Sequence, residues 1–459
     1  MPKDCRGLAV TAVSDDAMAS YDALVTSFMR FGQDILPRID ATLALDPEMI
    51  LARCFQASLH LLRGLGPLVP KAKAEAAWLE AHADRGNARE RGHIAALGAW
   101  CRGETERAAD IWDAILLDHP RDIMAMKLVH YARFYLGGGP AFRDSLLRTL
   151  HAWDESVAGY GFVLGMQSFA LEETGDYAGA EAAGKRAIEI DPKDGWATHA
   201  VTHVLEMQER RRESIAWIEA LKPHWQAENN FRYHIWWHLA LVHLALGDAD
   251  GVLRLYDEAL WDPKSEEYLD LCNDVSLLAL LELAGLDVGE RWKPLAEKIR
   301  SRTQEHILTF VDFHYVMALA AAGLRDEAEA MLDSLNVYAR KGSGTNAVVA
   351  GDVGVPLCRG LLDHRQGRYA EAVERLMPIR YDIYKIGGSH AQRDLLAMIL
   401  IDAAVKAGQD GLARALLSER VAQRPKDPWS WRAYAGALGK FGDSRAADKA
   451  MARARSALA

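Results

Sequence analysis

Residues 161–194 read GFVLGMQSFALEETGDYAGAEAAGKRAIEIDPKD, and this stretch decides the fold. Two apolar patterns of helical period flank Gly175, and the second pattern ends just before Pro192. Ala180 and Ala187 are the small residues expected where two antiparallel helices cross. The stretch therefore predicts a helix–turn–helix unit of about 34 residues.

The same pattern recurs along the chain around further turn glycines. They are Gly103, Gly247, Gly285, Gly323, Gly367, Gly408 and Gly442. In the unit over 195–228, Glu209 occupies the position of the turn glycine. Self-similarity at this period is typical of the tetratricopeptide repeat, in which each unit buries its apolar stripe on its neighbours. We therefore predict an all-α α-solenoid, a right-handed superhelix of antiparallel helix pairs with a concave inner wall.

The domain organisation follows from where this pattern weakens. Residues 1–14 are predicted to be an N-terminal tail, and residues 15–340 the N-terminal and central repeats with a histidine-lined groove. Residues 341–356 are rich in glycine and are predicted to form a long loop, either a lid or a solvated linker. Residues 357–459 are predicted to be the C-terminal repeats.

Composition narrows the class of protein. The formal net charge is −10 and comes from mixed signs, whereas a nucleic-acid binder needs a basic face. The five cysteines are scattered without C-x-x-C spacing, which favours a reducing compartment. No apolar stretch is long enough for a signal peptide or a membrane span. We expect a cytoplasmic protein that binds neither nucleic acid nor membrane.

Two consecutive repeats carry polar residues at helical spacing. The segments are HAVTHVLE at 199–206 and HIWWH at 234–238. Residues four apart share one helix face, and first helices of neighbouring repeats stack along the inner wall. In the common repeat register the groove-facing residues are His199, His203, Glu206, His234 and Trp237, with His238 one position off.

Neutral imidazoles and a carboxylate suit zinc, iron or manganese. His199, His203, Glu206 and His234 are therefore candidate ligands of a divalent transition metal, the only cofactor that the sequence indicates. The same groups would also serve as a general acid–base pair, or the histidines are structural and hydrogen-bond with their neighbours. The H-E-x-x-H motif of zinc peptidases is absent.

Further polar residues lie in or beside apolar helices. Asp274 and His314 fall within segments fit to be buried, where a charge needs a partner. His390 follows a glycine pair in GGSHAQRD, residues 387–394, and Ser389 beside it is predicted to be a helix N-cap. We include Asp274, His314 and His390 among the candidate ligand-binding residues.

Four segments together resemble the tetratricopeptide repeat protein 38 family. They are LEETGDYAGAEAAGKRAIEIDPKDGWATHAVTHVLEMQ, HIWWHLALVHLALGD, DVGVPL and GGSHAQRD. The resemblance runs from about residue 15 to the C-terminus and implies an all-helical, soluble array. It would carry the family's histidine pairs onto His199, His203, His234 and His238, and its later polar signatures onto Asp274, His314, Asp352 and His390. Thr198 and Thr202 depart from the small apolar residues expected there, and the family supplies no established activity.

Three functional hypotheses follow. The first is a binding protein that holds a small polar ligand or a peptide in the histidine-lined concave groove, as the fold class favours. The alternative is a metal-dependent or acid–base enzyme, hydrolase-like, with its site in the same groove. The third is a homo-oligomer formed through the aromatic helices, with structural histidines.

Overall fold

The computed structural model describes residues 2–458, which form α-helices joined by short turns. The first thirteen helices are α1 Asp15–Met29, α2 Ile35–Leu45, α3 Ile50–Leu62, α4 Val69–Ala81, α5 Ala88–Cys101, α6 Thr105–Asp118, α7 Ile123–Tyr135, α8 Gly139–Leu147, α9 Tyr160–Glu172, α10 Tyr177–Ile190, α11 Gly195–Met207, α12 Arg211–Trp225 and α13 Phe231–Ala245. The remaining helices are α14 Ala249–Leu255, α15 Tyr268–Leu283, α16 Trp292–Arg300, α17 Thr309–Ala321, α18 Arg325–Lys341, α19 Thr345–Val349, α20 Val355–Arg365, α21 Tyr369–Leu376, α22 His390–Lys406, α23 Asp410–Gln423, α24 Pro428–Lys440 and α25 Ser444–Ser456. Over these residues the extended pairing is limited to an isolated antiparallel bridge between Lys3 and Ala9. The prediction of an all-α array of helix pairs is confirmed.

The repeat turns have the backbone that the sequence predicts. Every predicted turn glycine adopts a positive φ, from 68° at Gly408 to 87° at Gly175. Glu209 takes the same left-handed conformation, with φ of 56°, at the position where the other repeats use glycine. Because a side chain is disfavoured in this conformation, the repeat geometry at Glu209 overrides local preference.

The superhelix closes upon itself, so that its second turn lies against its first. The Arg302 guanidinium donates to the Gly64 carbonyl at 3.0 Å across 238 residues of sequence. The backbone N–H groups of His390 and Lys426 donate to the carboxylates of Glu173 and Glu209, in each case across 217 residues. At about 34 residues per repeat, these spacings correspond to about six to seven repeats per turn. One hydrophobic cluster runs from Val10 to Ala437, and the inner wall is covered by neighbouring helices.

The N-terminal residues described before α1 are packed rather than free. Val10 is fully buried, and the Thr11 N–H donates to Glu90 at 2.7 Å. The Val13 N–H donates to Asp46 at 3.0 Å. The predicted tail is therefore anchored on the first repeats over residues 2–14.

The prediction of a long loop at residues 341–356 is wrong. Only 342–344 are non-helical, because α19 begins at Thr345, a π-helical turn spans Ala350–Gly354, and α20 continues from Val355. The glycines allow neighbouring segments to pack closely against this backbone, and they do not mark a flexible loop. A Cβ added at Gly354 would lie 2.7 Å from Thr309, and one at Gly344 would lie 2.4 Å from the Gly103 carbonyl oxygen. The segment is thus part of the packed array, and neither a lid nor a linker describes it.

Within residues 2–458, no helix combines the length and the apolar character needed to cross a bilayer.

Candidate metal centre and ligand chamber

Four imidazoles meet between α11 and α13. His199 and His203 are one turn apart on α11, and His234 and His238 are one turn apart on α13. One ring nitrogen from each of the four lies within 4.8 Å of the others. All four side chains are buried, with at most 4% of any residue exposed. The helical spacing read from the sequence therefore places the two pairs face to face.

The Nε2 atoms of three rings are in direct contact. His199 Nε2 lies 2.9 Å from His203 Nε2 and 3.1 Å from His234 Nε2. The His238 Nε2 is buried and has no hydrogen-bond partner. Because one ring nitrogen carries at most one proton, His199 Nε2 cannot donate to both of the nitrogens that it faces.

Two neighbouring side chains hold the outer nitrogens of α13. His234 Nδ1 lies 3.0 Å from the Asn273 side-chain oxygen, and His238 Nδ1 lies 2.9 Å from a Glu206 carboxylate oxygen. Since both partners are acceptors, each Nδ1 carries the proton and donates it. In a neutral ring with the proton on Nδ1, the Nε2 that points into the cluster is an acceptor.

Burial favours the neutral form of three of the four imidazoles. Loss of solvent, reinforced by the neighbouring histidines, lowers the pKa of His199 and of His203 well below the ordinary range. For the same reasons the pKa of His234 falls to about 3. Neutral imidazole is the protonation state that binds metal ions.

A carboxylate missed by the sequence analysis lies behind this cluster. Glu172, the last residue of α9, is fully buried, and neither of its oxygens has a hydrogen-bond partner. Its Oε2 lies 3.9 Å from His203 Nδ1, which is also unpartnered. Burial, together with the charges of Glu173 and Glu206, raises the pKa of Glu172 well above its usual value.

Three predicted site residues have distinct places around the imidazoles. Glu206, predicted as a metal ligand, instead accepts from His238 Nδ1 and lies outside the four-histidine group. Trp237 stacks on His234 with ring centroids 5.3 Å apart and donates to Ser276. His238, one position off in the predicted register, is brought into the cluster because the rings of α11 and α13 interleave.

The other three predicted residues lie elsewhere. Asp274 is buried on α15, where its neighbour Asn273 is the residue that contacts the cluster. His314 Nδ1 donates to the Phe310 carbonyl at 2.8 Å, and the ring packs on Phe313. His390 contacts the Glu173 carbonyl at 3.1 Å, on the far side of the two adjacent glutamates.

The predicted N-cap at the start of α22 is present. Ser389 accepts from the Gln392 N–H, and the Gln392 side chain accepts from the Ser389 N–H, which is a complete capping box. This pairing explains Ser389 without a chemical role.

A chamber of about 330 Å³ adjoins the imidazoles, with His199, His203 and His234 in its wall. Aromatic residues are the largest group in the remaining wall, which also has aliphatic and polar residues. The aromatic residues are Phe28, Phe31, Tyr131, Phe134, Tyr135, Phe169, Trp196, Phe231 and Tyr268. The lining also includes Leu36, which is 50% exposed, and the Arg63–Glu267 ion pair. The wall of the chamber therefore contains a solvent-exposed residue as well as the buried imidazoles.

The turn between α1 and α2 covers one side of the chamber. Phe31 stacks on Phe231 with centroids 4.1 Å apart, and its carbonyl accepts from the Asn229 N–H at 2.7 Å. The Gln33 amide donates to the Ala227 carbonyl at 3.2 Å. The predicted concave groove is thus enclosed here, because the N-terminal turn spans it.

No protein-family model matches the chain, so membership of the tetratricopeptide repeat protein 38 family stays a prediction. Helical-repeat proteins are found among the solved structures that resemble it. A human IFIT1 dimer with m7Gppp-AAAA is 14% identical, with 98% of this chain and 96% of that chain covered and a TM-score of 0.39. The yeast Tom70 is 13% identical, with coverage of 95% and 87% and a TM-score of 0.37. The TPR domain of P58(IPK) is 11% identical, with coverage of 81% and 93% and a TM-score of 0.22.

Proposed function

We propose that this protein binds a transition-metal ion at His199, His203, His234 and His238, and a small molecule in the adjoining chamber. One observation carries the proposal: the buried Nε2 atoms of the four rings converge, and the hydrogen bonds among them leave some of these nitrogens without a partner. Buried polar atoms normally have partners, and a cation at this point would give each nitrogen one.

The spacing of the nitrogens supports a metal. Zinc–nitrogen bonds of about 2.0–2.1 Å in a tetrahedron place ligand nitrogens about 3.3 Å apart. The two contacts of 2.9 and 3.1 Å need only a slight expansion to reach that value. Asn273 and Glu206 would hold His234 and His238 in the correct tautomer, as outer-shell partners do in metalloproteins.

An all-imidazole ligand set indicates the class of metal. Nitrogen donors suit zinc, copper, iron and nickel, whereas magnesium and calcium require oxygen. Neutral imidazoles do not offset the positive charge of a metal ion. The carboxylates of Glu172 and Glu206, beside the Nδ1 atoms of His203 and His238, would supply negative charge.

The chamber indicates the class of ligand. Its volume matches that of small-molecule sites, and its aromatic wall favours a flat, apolar body. A donor group at one end would reach the ion beside His199, His203 and His234. We therefore propose a mainly apolar molecule with one polar end, which differs from the small polar ligand predicted from the sequence. An extended peptide, the other predicted ligand, has less support because the N-terminal turn spans the groove.

A metal-dependent enzyme is the second candidate, favoured by the chamber that meets the imidazoles. A water molecule bound to such an ion as a fifth ligand, beside the four imidazoles, would have a lowered pKa and would face the chamber. Hydrolysis of 4-nitrophenyl acetate by the metal-loaded protein, lost in a His199→Ala variant, would support it; equal rates in both proteins would contradict it.

The test of the metal site is elemental analysis of the purified, untagged protein. We expect about one transition-metal ion at the four imidazoles, lost in the His199→Ala, His203→Ala double variant and retained in His243→Gln, a histidine of α13 outside the cluster. Circular dichroism checks that each variant is helical, and His234→Gln replaces the double variant if that one unfolds. Absence of metal after incubation with zinc, iron, copper and manganese would overturn the proposal.

A further inference from the structure

We infer that a second cation binds on the other side of the His203 ring, between His203 Nδ1 and the carboxylates of Glu172 and Glu173. Together with the proposed four-histidine site, on which this inference rests, it would make a centre of two ions. An oxygen of each glutamate and a nitrogen of His203 lie within 4.8 Å of one another. All three residues are buried.

His203 faces a different group with each of its nitrogens. Its Nε2 lies 2.9 Å from His199 Nε2, inside the four-histidine cluster. Its Nδ1 points away from that cluster, lies 3.9 Å from Glu172 Oε2 and has no hydrogen-bond partner. The ring therefore has one donor atom available to each of two ions.

The separation of 3.9 Å between Nδ1 and Oε2 favours an ion between them. It exceeds the hydrogen-bond range of about 2.7–3.2 Å. Two ligand atoms that are each about 2.0–2.2 Å from one metal ion lie between about 3 and 4 Å apart. The gap therefore fits a coordinated cation better than a direct hydrogen bond.

Of the two glutamates, Glu172 is the one whose carboxylate has no hydrogen-bond partner. Glu173 accepts from the His390 N–H at 3.0 Å and lies 3.7 Å from the Arg393 guanidinium. Glu172 has no comparable neighbour, and both of its oxygens are buried and unpartnered. A buried carboxylate in this condition is costly unless it binds a cation or a proton. Both oxygens are free to bind an ion.

Binding of both ions requires protons to leave. His203 bridges them only when neither nitrogen is protonated, and Glu172 binds as a carboxylate. Entry of the second ion therefore displaces to solvent the remaining ring proton and any proton on Glu172. The negative charge on the bridging ring, together with Glu172 and Glu173, then offsets the added positive charge. The Arg393 guanidinium stays on the outer oxygen of Glu173.

Zinc stoichiometry of the full-length protein tests the inference. After zinc loading and removal of loose metal, we expect two ions per chain in the unaltered protein and one in Glu172→Gln. The matched control is Glu228→Gln, which alters another buried glutamate with unpartnered oxygens, outside both groups of ligands, and should keep two ions. One ion in both the unaltered protein and Glu172→Gln would overturn the second site and leave the four-histidine site standing. No bound zinc would overturn both.

Copper(II) loading provides a test that needs no variant. Two copper ions bridged by one imidazole ring couple magnetically, so the integrated paramagnetic resonance signal should fall well below the copper content. A signal equal to the copper content, at two ions per chain, would show isolated ions and overturn the bridge at His203.

Discussion

Two groups of buried histidine and carboxylate differ in whether their polar atoms are paired. In the N-terminal half of the chain, Asp122 Oδ2 lies 2.6 Å from the Arg89 guanidinium and 2.8 Å from His93 Nε2. Asp122 Oδ1 accepts from the Ala125 N–H and so caps α7. In the four-histidine cluster, by contrast, His199 Nδ1, His203 Nδ1, His238 Nε2 and both oxygens of Glu172 have no partner.

The contrast separates a structural role from a binding role. Burial alone would raise the pKa of Asp122, but the charges of His93 and Arg89 hold it well below its usual range. That group is complete within the chain and needs no ligand. The four-histidine cluster is equally buried yet incomplete, and so an added cation would improve its pairing.

The largest expected effect on stability comes from a substitution in the fully paired group of Arg89, His93 and Asp122. Asp122→Ala leaves the Arg89 charge buried without its partner, and loss of one partner of a buried pair costs about 3–5 kcal/mol of unfolding free energy. Urea unfolding measures this loss. Asp176→Ala, which removes an exposed N-cap from α10, is the control and should cost about 1 kcal/mol. Equal losses would show that Asp122 acts only as a cap.

The second prediction makes the corresponding change in the incomplete group. His203→Leu removes a ring whose Nδ1 has no partner, so the metal-free protein should lose little stability. The unaltered protein should gain about 2.7 kcal/mol at a zinc concentration 100 times Kd, and the variant should not. Urea unfolding with chelator and with zinc gives both values. A large loss in chelator would mean that the imidazoles are structural.

The third prediction concerns the partners of the cluster. Asn273→Leu leaves the His234 Nδ1–H without its acceptor, and such losses weaken metal binding by about 10–100-fold. Competition with a chromogenic chelator measures Kd. Asp274→Asn, at the next position of α15, should leave Kd unchanged. The opposite ranking would favour Asp274, the residue that the sequence analysis selected.

The sequence predicts those parts of the site that depend on one helix or on neighbouring repeats. Spacing of four residues fixes the pairs on α11 and α13, and neighbouring repeats bring His199 and His234 together across 35 residues. Asn273 was missed although it lies 39 residues from His234, one repeat further on, where the register would have identified it. A search at this period for polar residues on the same face would have found it.

Other features depend on the path of the whole superhelix. Glu172 ends α9 in a segment, LEETGD, that is typical of a solvated helix end, yet it is fully buried, and the second superhelical turn contacts its neighbour Glu173 through the His390 N–H. The glycines of 341–356 were misinterpreted for the same reason, since Gly344 contacts Gly103 on the preceding turn. Whether two residues more than 200 positions apart meet depends on the sum of small rotations at each repeat interface between them. The local spacing of residues does not specify these rotations.

The last prediction distinguishes the two groups by pH. The folded pKa of His234 is about 3, whereas an unfolded histidine titrates near 6.5, so below that pH the unfolded chain binds more protons. Each such imidazole then removes about 1.4 kcal/mol of unfolding free energy per pH unit as the pH falls from about 6.5. Asp122 has a lowered pKa, so its contribution is lost only below its unfolded pKa of about 3.9.

The window between pH 6.5 and 4.5 therefore reports on the imidazoles and not on Asp122. Glu172, with its raised pKa, contributes a slope of opposite sign, so the informative quantity is a difference between proteins. Urea unfolding in chelator should show a slope smaller by about 1.4 kcal/mol per pH unit in His234→Gln, and no change in the exposed His151→Gln. Equal slopes for His234→Gln and the unaltered protein would mean that His234 is protonated in the folded chain. Because Nδ1 donates to Asn273 in either state, the additional proton would be on Nε2, the nitrogen proposed to bind the metal.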